Sequence, residues 1–230
     1  MTMTGEVDRG FPKARTRTRR LVLIDDHPIV REGIRRLVQD CPDLEVADEA
    51  GDAAAGLAAV REQHPDLVFV DVSLGRRSGL DLIKQLRSEF KDLRILVFSM
   101  HDEELYAERS LRAGADGYLH KSAASEVLVD ATRTLLSGGT WLSPKMTERL
   151  VHQAVHDSGS DSGGVTSLSD RELEVFQLIG AGLSTRRIAE RLSISIKTVE
   201  THRENIKRKL DIDNAAELTR FAVAFVENPS

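Results

Sequence analysis

The stretch Leu21-Val-Leu-Ile-Asp25-Asp26-His27 decides how this chain is read: an apolar run ends abruptly in two adjacent carboxylates. Three further apolar runs end in a residue able to do chemistry, namely Asp71, Ser99 and Lys121. Short apolar runs fall at 21–25, 44–48, 67–71, 95–99 and 116–120. Helical patterns lie between and after them, at about 28–40, 53–64, 79–88, 103–113 and 123–137. Strands alternating with helices imply a parallel sheet covered on both faces. Leu67-Val-Phe-Val-Asp71, apolar until its last residue, suits a central strand.

In an open parallel sheet, functional residues collect at the carboxyl ends of the strands. Asp25, Asp26 and Asp71 sit at such ends. Three converging carboxylates are costly unless a cation neutralises them, and hard oxygen ligands at a site that also takes phosphate favour Mg²⁺. Ser99 supplies a hydroxyl for one phosphoryl oxygen and Lys121 a point charge for another. With a metal on one side and an ammonium on the other, Asp71 is placed to act as a nucleophile toward phosphorus.

A second chemistry lies near the C-terminus. Ser169-Asp-Arg-Glu172 is a capping box, Ser184 and Ser195 start further helices, and Asn214-Ala-Ala-Glu217 starts a fourth. The third of these helices, Ser195 to Leu210, sets Ile196, Val199, Ile206 and Leu210 on an apolar face, expected to pack on Val175, Ile179, Ile188 and Leu192. Its other face carries Lys197, Glu200, Thr201, Arg203, Glu204, Lys207 and Arg208. The preceding helix and tight turn, Ile188-Ala-Glu-Arg-Leu-Ser-Ile-Ser195, have helix-turn-helix spacing, which points to DNA.

Residues 20–140 resemble the receiver domain of two-component response regulators. Leu168-Ser-Asp-Arg-Glu-Leu-Glu-Val175, Ile188-Ala-Glu-Arg-Leu192 and Lys197-Thr-Val-Glu-Thr-His202 resemble the LuxR-type helix-turn-helix. The two together resemble the NarL/FixJ architecture over nearly the whole chain. The resemblance implies a flavodoxin-like α/β receiver, a five-stranded parallel sheet of order 2-1-3-4-5, followed by a small all-α four-helix domain. It implies that a sensor histidine kinase phosphorylates Asp71, and that Asp26, Asp71 and the backbone carbonyl of Ser73 bind Mg²⁺, Asp25 assisting through water. Ser99 and Lys121 would grip the phosphoryl group, with Tyr118 as a switch aromatic that swings inward. Glu200, Thr201 and Glu204 would face base edges. Lys197, Thr198, Arg203, Lys207 and Arg208 would hold phosphates of double-stranded DNA, and His202 belongs to the same DNA-facing set. Leu218, Phe221, Ala222 and Phe225 would form a dimer surface. One departure is Leu74-Gly75, where such regulators commonly carry Met-Pro; the more permissive glycine leaves phosphate lifetime open.

The expected division is a disordered basic tail over 1–19, a receiver over 20–140, a linker helix and Gly/Ser linker over 141–166, and a DNA-binding domain over 167–230. One helix-turn-helix covers too few base pairs to select a genomic site, so the active form is expected to be a homodimer on an inverted repeat, with RNA polymerase as a further partner. A receiver contact is expected to hide the reading helix until phosphorylation. The rival reading is a phosphohydrolase using Asp71; haloacid-dehalogenase-type enzymes place an acid/base Asp two residues on, and that place is Ser73. The chain is therefore expected not to be an enzyme beyond Mg²⁺-dependent self-phosphorylation and self-dephosphorylation.

Composition agrees without deciding. The net charge over 230 residues is −5, which alone would not suggest nucleic acid; only the clustering of Lys and Arg on one helix does. Cys41 is the only cysteine, so no intramolecular disulfide forms. No apolar run approaches the ~20 residues that span a bilayer, and the first residues lack a signal peptide's apolar core, giving a cytoplasmic expectation.

Overall fold

The computed structural model describes residues 17–74, 77–155 and 164–227. Arg9, Lys13 and Arg15 of the expected tail, Gly75 and Arg76 of the loop, and the Ser/Gly stretch 158–163 lie outside them. The N-terminal half runs β1 (Arg19–Ile24), α1 (Pro28–Gln39), β2 (Leu44–Ala50), α2 (Ala53–Gln63), β3 (Leu67–Val70), β4 (Ser73–Leu74), β5 (Arg77–Ser78), α3 (Gly79–Glu89), β6 (Arg94–Ser99), α4 (Glu103–Ala113), β7 (Gly117–His120) and α5 (Ser125–Leu136). The main sheet is parallel throughout, with order β2-β1-β3-β6-β7. Leaving out the short β4–β5 hairpin, this is the expected order 2-1-3-4-5.

Strand side chains alternate between the two faces. Leu21, Leu23, Leu67, Phe69, Leu96 and Phe98 bury one face with α1 and α5 residues such as Ile34, Val38, Leu128 and Leu135. Val22, Ile24, Val68, Val70, Ile95 and Val97 bury the other with residues of α2, α3 and α4. Both faces being covered explains why the strands read as continuous apolar runs.

The hairpin had no sequence expectation. Ser73 and Leu74 pair antiparallel with Ser78 and Arg77 directly after Asp71. It closes because α3 starts at glycine: a Cβ on Gly79 would sit 2.2 Å from the Asp71 carbonyl oxygen. Only a residue without a side chain lets the helix start abut the end of β3, and the Gly79 N–H donates to the Val72 carbonyl at 2.8 Å.

Beyond α6 (Pro144–Val155) come α7 (Asp170–Gly180), α8 (Thr185–Leu192), α9 (Ile196–Leu210) and α10 (Ala215–Glu227). Ser169 and Glu172 form the capping box at the start of α7. Ser193, in a left-handed conformation, makes the tight turn after α8, and Ser195 caps α9 by accepting from the Thr198 N–H. Val175, Ile179, Ile188, Leu192, Val199 and Ile206 share the core of this module, as expected. Two expectations are corrected. Ile196 is 48% exposed, because it stands in the first turn, ahead of the packed seam. Leu218 and Ala222, assigned to the dimer surface, are both 0% exposed: they are spent on α7 within their own module. The approach of α10 to α7 is so close that a Cβ on Gly180 would lie 2.3 Å from the Ala222 carbonyl oxygen. Phe221 and Phe225 instead ring Phe176, at 5.8 and 5.4 Å between centroids, and Phe221 stays 42% exposed.

Candidate functional site

The carboxyl ends of β1, β3, β6 and β7 bring together the residues singled out from sequence. Asp25 and Asp71 are buried, and the ligand oxygens of Asp25, Asp26 and Asp71 lie within 4.8 Å of one another, together with a ring nitrogen of His27. Lys121 reaches back from the end of β7 so that Nζ stands 2.6 Å from Asp25 Oδ2 and 2.7 Å from Asp71 Oδ2. Burial alone would lower the lysine's pKa, but the two carboxylates outweigh it and hold the ammonium above its ordinary value. Asp25 also accepts from the His27 backbone N–H at 2.8 Å, and Asp71 Oδ1 from the Ser73 N–H at 3.2 Å.

This donor set suits a hard divalent cation: three carboxylates converge, and Asp26 remains exposed enough to complete its coordination with water. Receiver domains hold Mg²⁺ at an acidic pocket of this kind. Ser99 is fully buried at the end of β6. Tyr118 is buried too, and its hydroxyl donates to the His101 carbonyl at 2.7 Å. Burial pushes its phenol well above the ordinary value, the Ser99 hydroxyl pulling the other way, so it stays a neutral donor.

Sequence reasoning missed two histidines. His27 Nδ1 lies 2.8 Å from Asp26 Oδ1 and 3.2 Å from Asp25 Oδ1. His101 Nε2 lies 2.6 Å from the Ser73 hydroxyl, and its ring stacks on Tyr106. Burial keeps His101 below its ordinary pKa against the pull of Asp71, so the ring is neutral. The available signal was position: each histidine stands two residues beyond a strand-end residue already singled out.

On the helical module, Lys197, Thr198, Glu200, Thr201, Glu204 and Arg208 are all exposed along α9. His202, Arg203 and Lys207 are half-buried, and Lys207 pairs with Glu204 at 2.9 Å. Lys209, on the same helix, turns inward to Glu172 at 2.7 Å and so serves the fold. The receiver does not cover this face. It meets the module through α7 instead, where Lys84 and Arg109 reach Asp170 at 2.9 and 3.0 Å. The expectation that the reading helix is hidden is therefore corrected. Burial would raise the Asp170 pKa, but Lys84 and Arg109 hold it below the usual carboxylate range.

Residues 21–133 match the response regulator receiver domain, and residues 166–222 match the bacterial regulatory proteins of the luxR family. The oxygen regulatory protein NreC of Staphylococcus carnosus is 37% identical over 209 residues, 89% of this chain and 96% of that protein. The chain is a response regulator of the NarL/FixJ type. The transcriptional regulatory protein MctR of Rhizobium johnstonii is 38% identical over 204 residues, 89% of this chain and 92% of that one. Among solved structures, RcsB from Salmonella enterica serovar Typhimurium, bound to promoter rprA in the presence of phosphomimetic BeF3⁻, superposes with a TM-score of 0.65 at 25% identity, over 90% of this chain and 98% of that one. This response regulator is a DNA-binding transcription regulator and not a classical enzyme. No helix among its described residues is long and apolar enough to cross a membrane.

Proposed function

We propose that Asp71 is the phosphoacceptor of this regulator and that its phosphorylation by a sensor histidine kinase controls DNA binding by α9. The observation that carries this is the buried Asp71 carboxylate, held at 2.7 Å by an ammonium it shares with Asp25. That carboxylate is paired with a cation and fixed in direction for attack. An Asp71 oxygen attacks phosphorus, the new O–P bond forms as the donor's N–P bond breaks, and the imidazole leaves with the electron pair and takes up a proton. Lys121 then turns to the phosphoryl oxygens and Ser99 donates its hydroxyl to another. Asp25, Asp26, Asp71 and the Ser73 carbonyl would hold Mg²⁺, which supplies charge neutralisation on the transferring group. Reversal is hydrolysis of the acylphosphate by water, the only turnover assigned to this chain.

The buried Tyr118 sits where a shift of Ser99 toward phosphate would be felt, which supports its switch role. Glu200, Thr201 and Glu204 read base edges, while Lys197, Thr198, Arg203, Lys207 and Arg208 hold phosphates, His202 flanking them. Phosphate contacts set register and base contacts specify. Receiver 20–140, linker 141–166 and DNA-binding domain 167–230 are the functional units, acting in the cytoplasm. Two copies on an inverted repeat bring two reading helices about one turn apart. Phe221 and Phe225 remain as the apolar part of the assigned dimer surface, and RNA polymerase is the downstream contact.

The test is incubation with acetyl phosphate and Mg²⁺, with the acylphosphate located by mass spectrometry. Label is expected on Asp71 alone, absent from Asp71→Asn and absent in EDTA. Full labelling of Asp71→Asn, or labelling in EDTA, refutes the assignment.

A further inference from the structure

The phosphoryl chemistry proposed above leaves His27 without a task. It stands at the N-cap position of α1, yet its side chain caps no helix N–H. Instead the ring turns back over the acid pair, with Nδ1 2.8 Å from Asp26 Oδ1 and 3.2 Å from Asp25 Oδ1. The chain itself sets this direction. A residue before proline is confined to extended backbone, and His27, followed by Pro28, lies there at φ −97° and ψ 105°. The ring nitrogen and the carboxylate oxygens of Asp25, Asp26 and Asp71 all lie within 4.8 Å of one another. Lys121 takes Oδ2 of Asp25 while His27 meets Oδ1 of the same group, so the two do not compete. With the His27 side chain 58% exposed, an ion can reach this corner of the rim from solvent.

We propose that His27 is a fourth donor of the acidic pocket, and that it opens the pocket to Zn²⁺ in competition with Mg²⁺. The inference rests on the reading of that pocket as the magnesium site. Mg²⁺ takes oxygen ligands and keeps several waters, so an imidazole adds little to its binding. Zn²⁺ takes imidazole nitrogen and carboxylate oxygen alike, at about 2.0–2.2 Å. Two donors at that range around a tetrahedral ion stand about 3.3 Å apart. His27 Nδ1 already stands 2.8 and 3.2 Å from its two carboxylate neighbours. Ligand type, and not charge, then separates the two ions: three carboxylates attract both, and the imidazole favours only one. Zn²⁺ held on these donors ties up the Asp71 carboxylate and takes the place from which Mg²⁺ would neutralise an incoming phosphoryl group. Zinc therefore holds the regulator unphosphorylated, by occupancy alone.

The test uses the full-length chain, stripped with EDTA and dialysed. Calorimetry measures Zn²⁺ and Mg²⁺ binding separately, and Co²⁺, a coloured stand-in for Zn²⁺, reports the ligand set through its visible absorption. Wild type is expected to bind Zn²⁺ at the pocket, and Asp26→Asn to weaken it. His27→Ala should weaken Zn²⁺ binding about 10- to 100-fold, which is what losing even an outer partner of a metal ligand costs, and leave Mg²⁺ affinity within about twofold. Its Co²⁺ spectrum should change with it. His27→Asn keeps a polar group over Asp26 without the imidazole and should match His27→Ala, thermal melts in EDTA showing both variants folded. Added Zn²⁺ should slow labelling by acetyl phosphate and Mg²⁺ more in wild type than in His27→Ala. Unchanged Zn²⁺ affinity in His27→Ala overturns the fourth donor. A parallel loss of Zn²⁺ and Mg²⁺ affinity overturns it too, because His27 would then only prop the acid pair. Wild-type Zn²⁺ affinity in His27→Asn reduces the ring to a hydrogen-bond partner and overturns the ligand role. Zinc binding untouched by Asp26→Asn lies elsewhere on the chain and overturns the site. Failure of wild type to bind Mg²⁺ overturns the magnesium reading of the pocket, whereas His27 is still judged by the zinc comparison.

Discussion

On the acidic rim of the receiver, charge is buried and answered from within: Asp25, Asp71 and the Lys121 side chain are at most 6% exposed and bonded to one another. On α9 most polar residues stand in solvent, and the pairs among them, such as half-buried Lys207 with exposed Glu204, are local. The two regions solve different problems. On the proposed function the rim presents one carboxylate to one phosphorus atom, so its geometry is fixed before the donor arrives. On the same proposal the helix meets a long charged polymer whose phosphates supply the missing partners, so its charges are left open. Preorganisation belongs to the first and complementarity to the second, and substitutions should separate them cleanly.

The largest difference is expected at Lys121. Lys121→Met leaves two buried carboxylates facing each other without their cation, and breaking such a pair costs about 3–5 kcal/mol. Urea midpoints in EDTA read this directly. Adding Mg²⁺ should restore more stability to the variant than it adds to wild type, since the cation neutralises the same oxygens. The variant should also take some phosphate label yet lose the phosphate-dependent gain in DNA affinity. A loss below about 1 kcal/mol in EDTA, the range of exposed pairs, would place the rim in the same class as the helix and end the contrast.

A second pair of substitutions sharpens it inside the helical module. Leu218 and Phe221 lie on one helix and were read from sequence as one surface, yet Leu218 is fully buried and Phe221 is 42% exposed. Leu218→Ala is expected to destabilise the protein by ~2–5 kcal/mol. Phe221→Ala should cost less and lower self-association instead, measured by light scattering against a thermal melt. Equal melts for the two variants would return Leu218 to the surface.

That pair also marks where the sequence stops being legible. The sheet was readable because strands buried on both faces leave unbroken apolar runs, and the rim because strand-end chemistry interrupts them at Asp25, Asp71, Ser99 and Lys121. The β4–β5 hairpin was not, since two-residue strands carry no periodicity and their cause, the contact of Gly79 with the end of β3, is tertiary. For α10 the apolar stripe was legible but its partner was not: amphipathicity says that a face is covered and never by what. The receiver's contact with α7 is illegible for the same reason. Lys84, Arg109 and Asp170 are ordinary surface charges until the two halves meet.

The smallest effects separate reading from holding within α9 itself. Arg208 is exposed and, among the described residues, bonds locally to Asn205 at 3.0 Å, which leaves its guanidinium open to a phosphate. Arg208→Ala should weaken binding to all duplexes alike and reduce the slope of log affinity against log salt by about one. Thr201→Ala should leave that slope intact, cost ~1–3 kcal/mol on the preferred duplex and relax preference at one base pair. Glu204→Ala gives the most discriminating result, because Glu204 holds Lys207 at 2.9 Å in the free protein. Removing it frees a cation and deletes a negative charge facing the duplex, so affinity for random DNA should rise while base preference falls. Titrations at several salt concentrations, on a preferred and a scrambled duplex, distinguish the three. If Glu204→Ala lowered affinity for both duplexes in parallel, Glu204 would be positioning the helix and not reading bases, and α9 would share more of the rim's internal dependence than its exposure suggests.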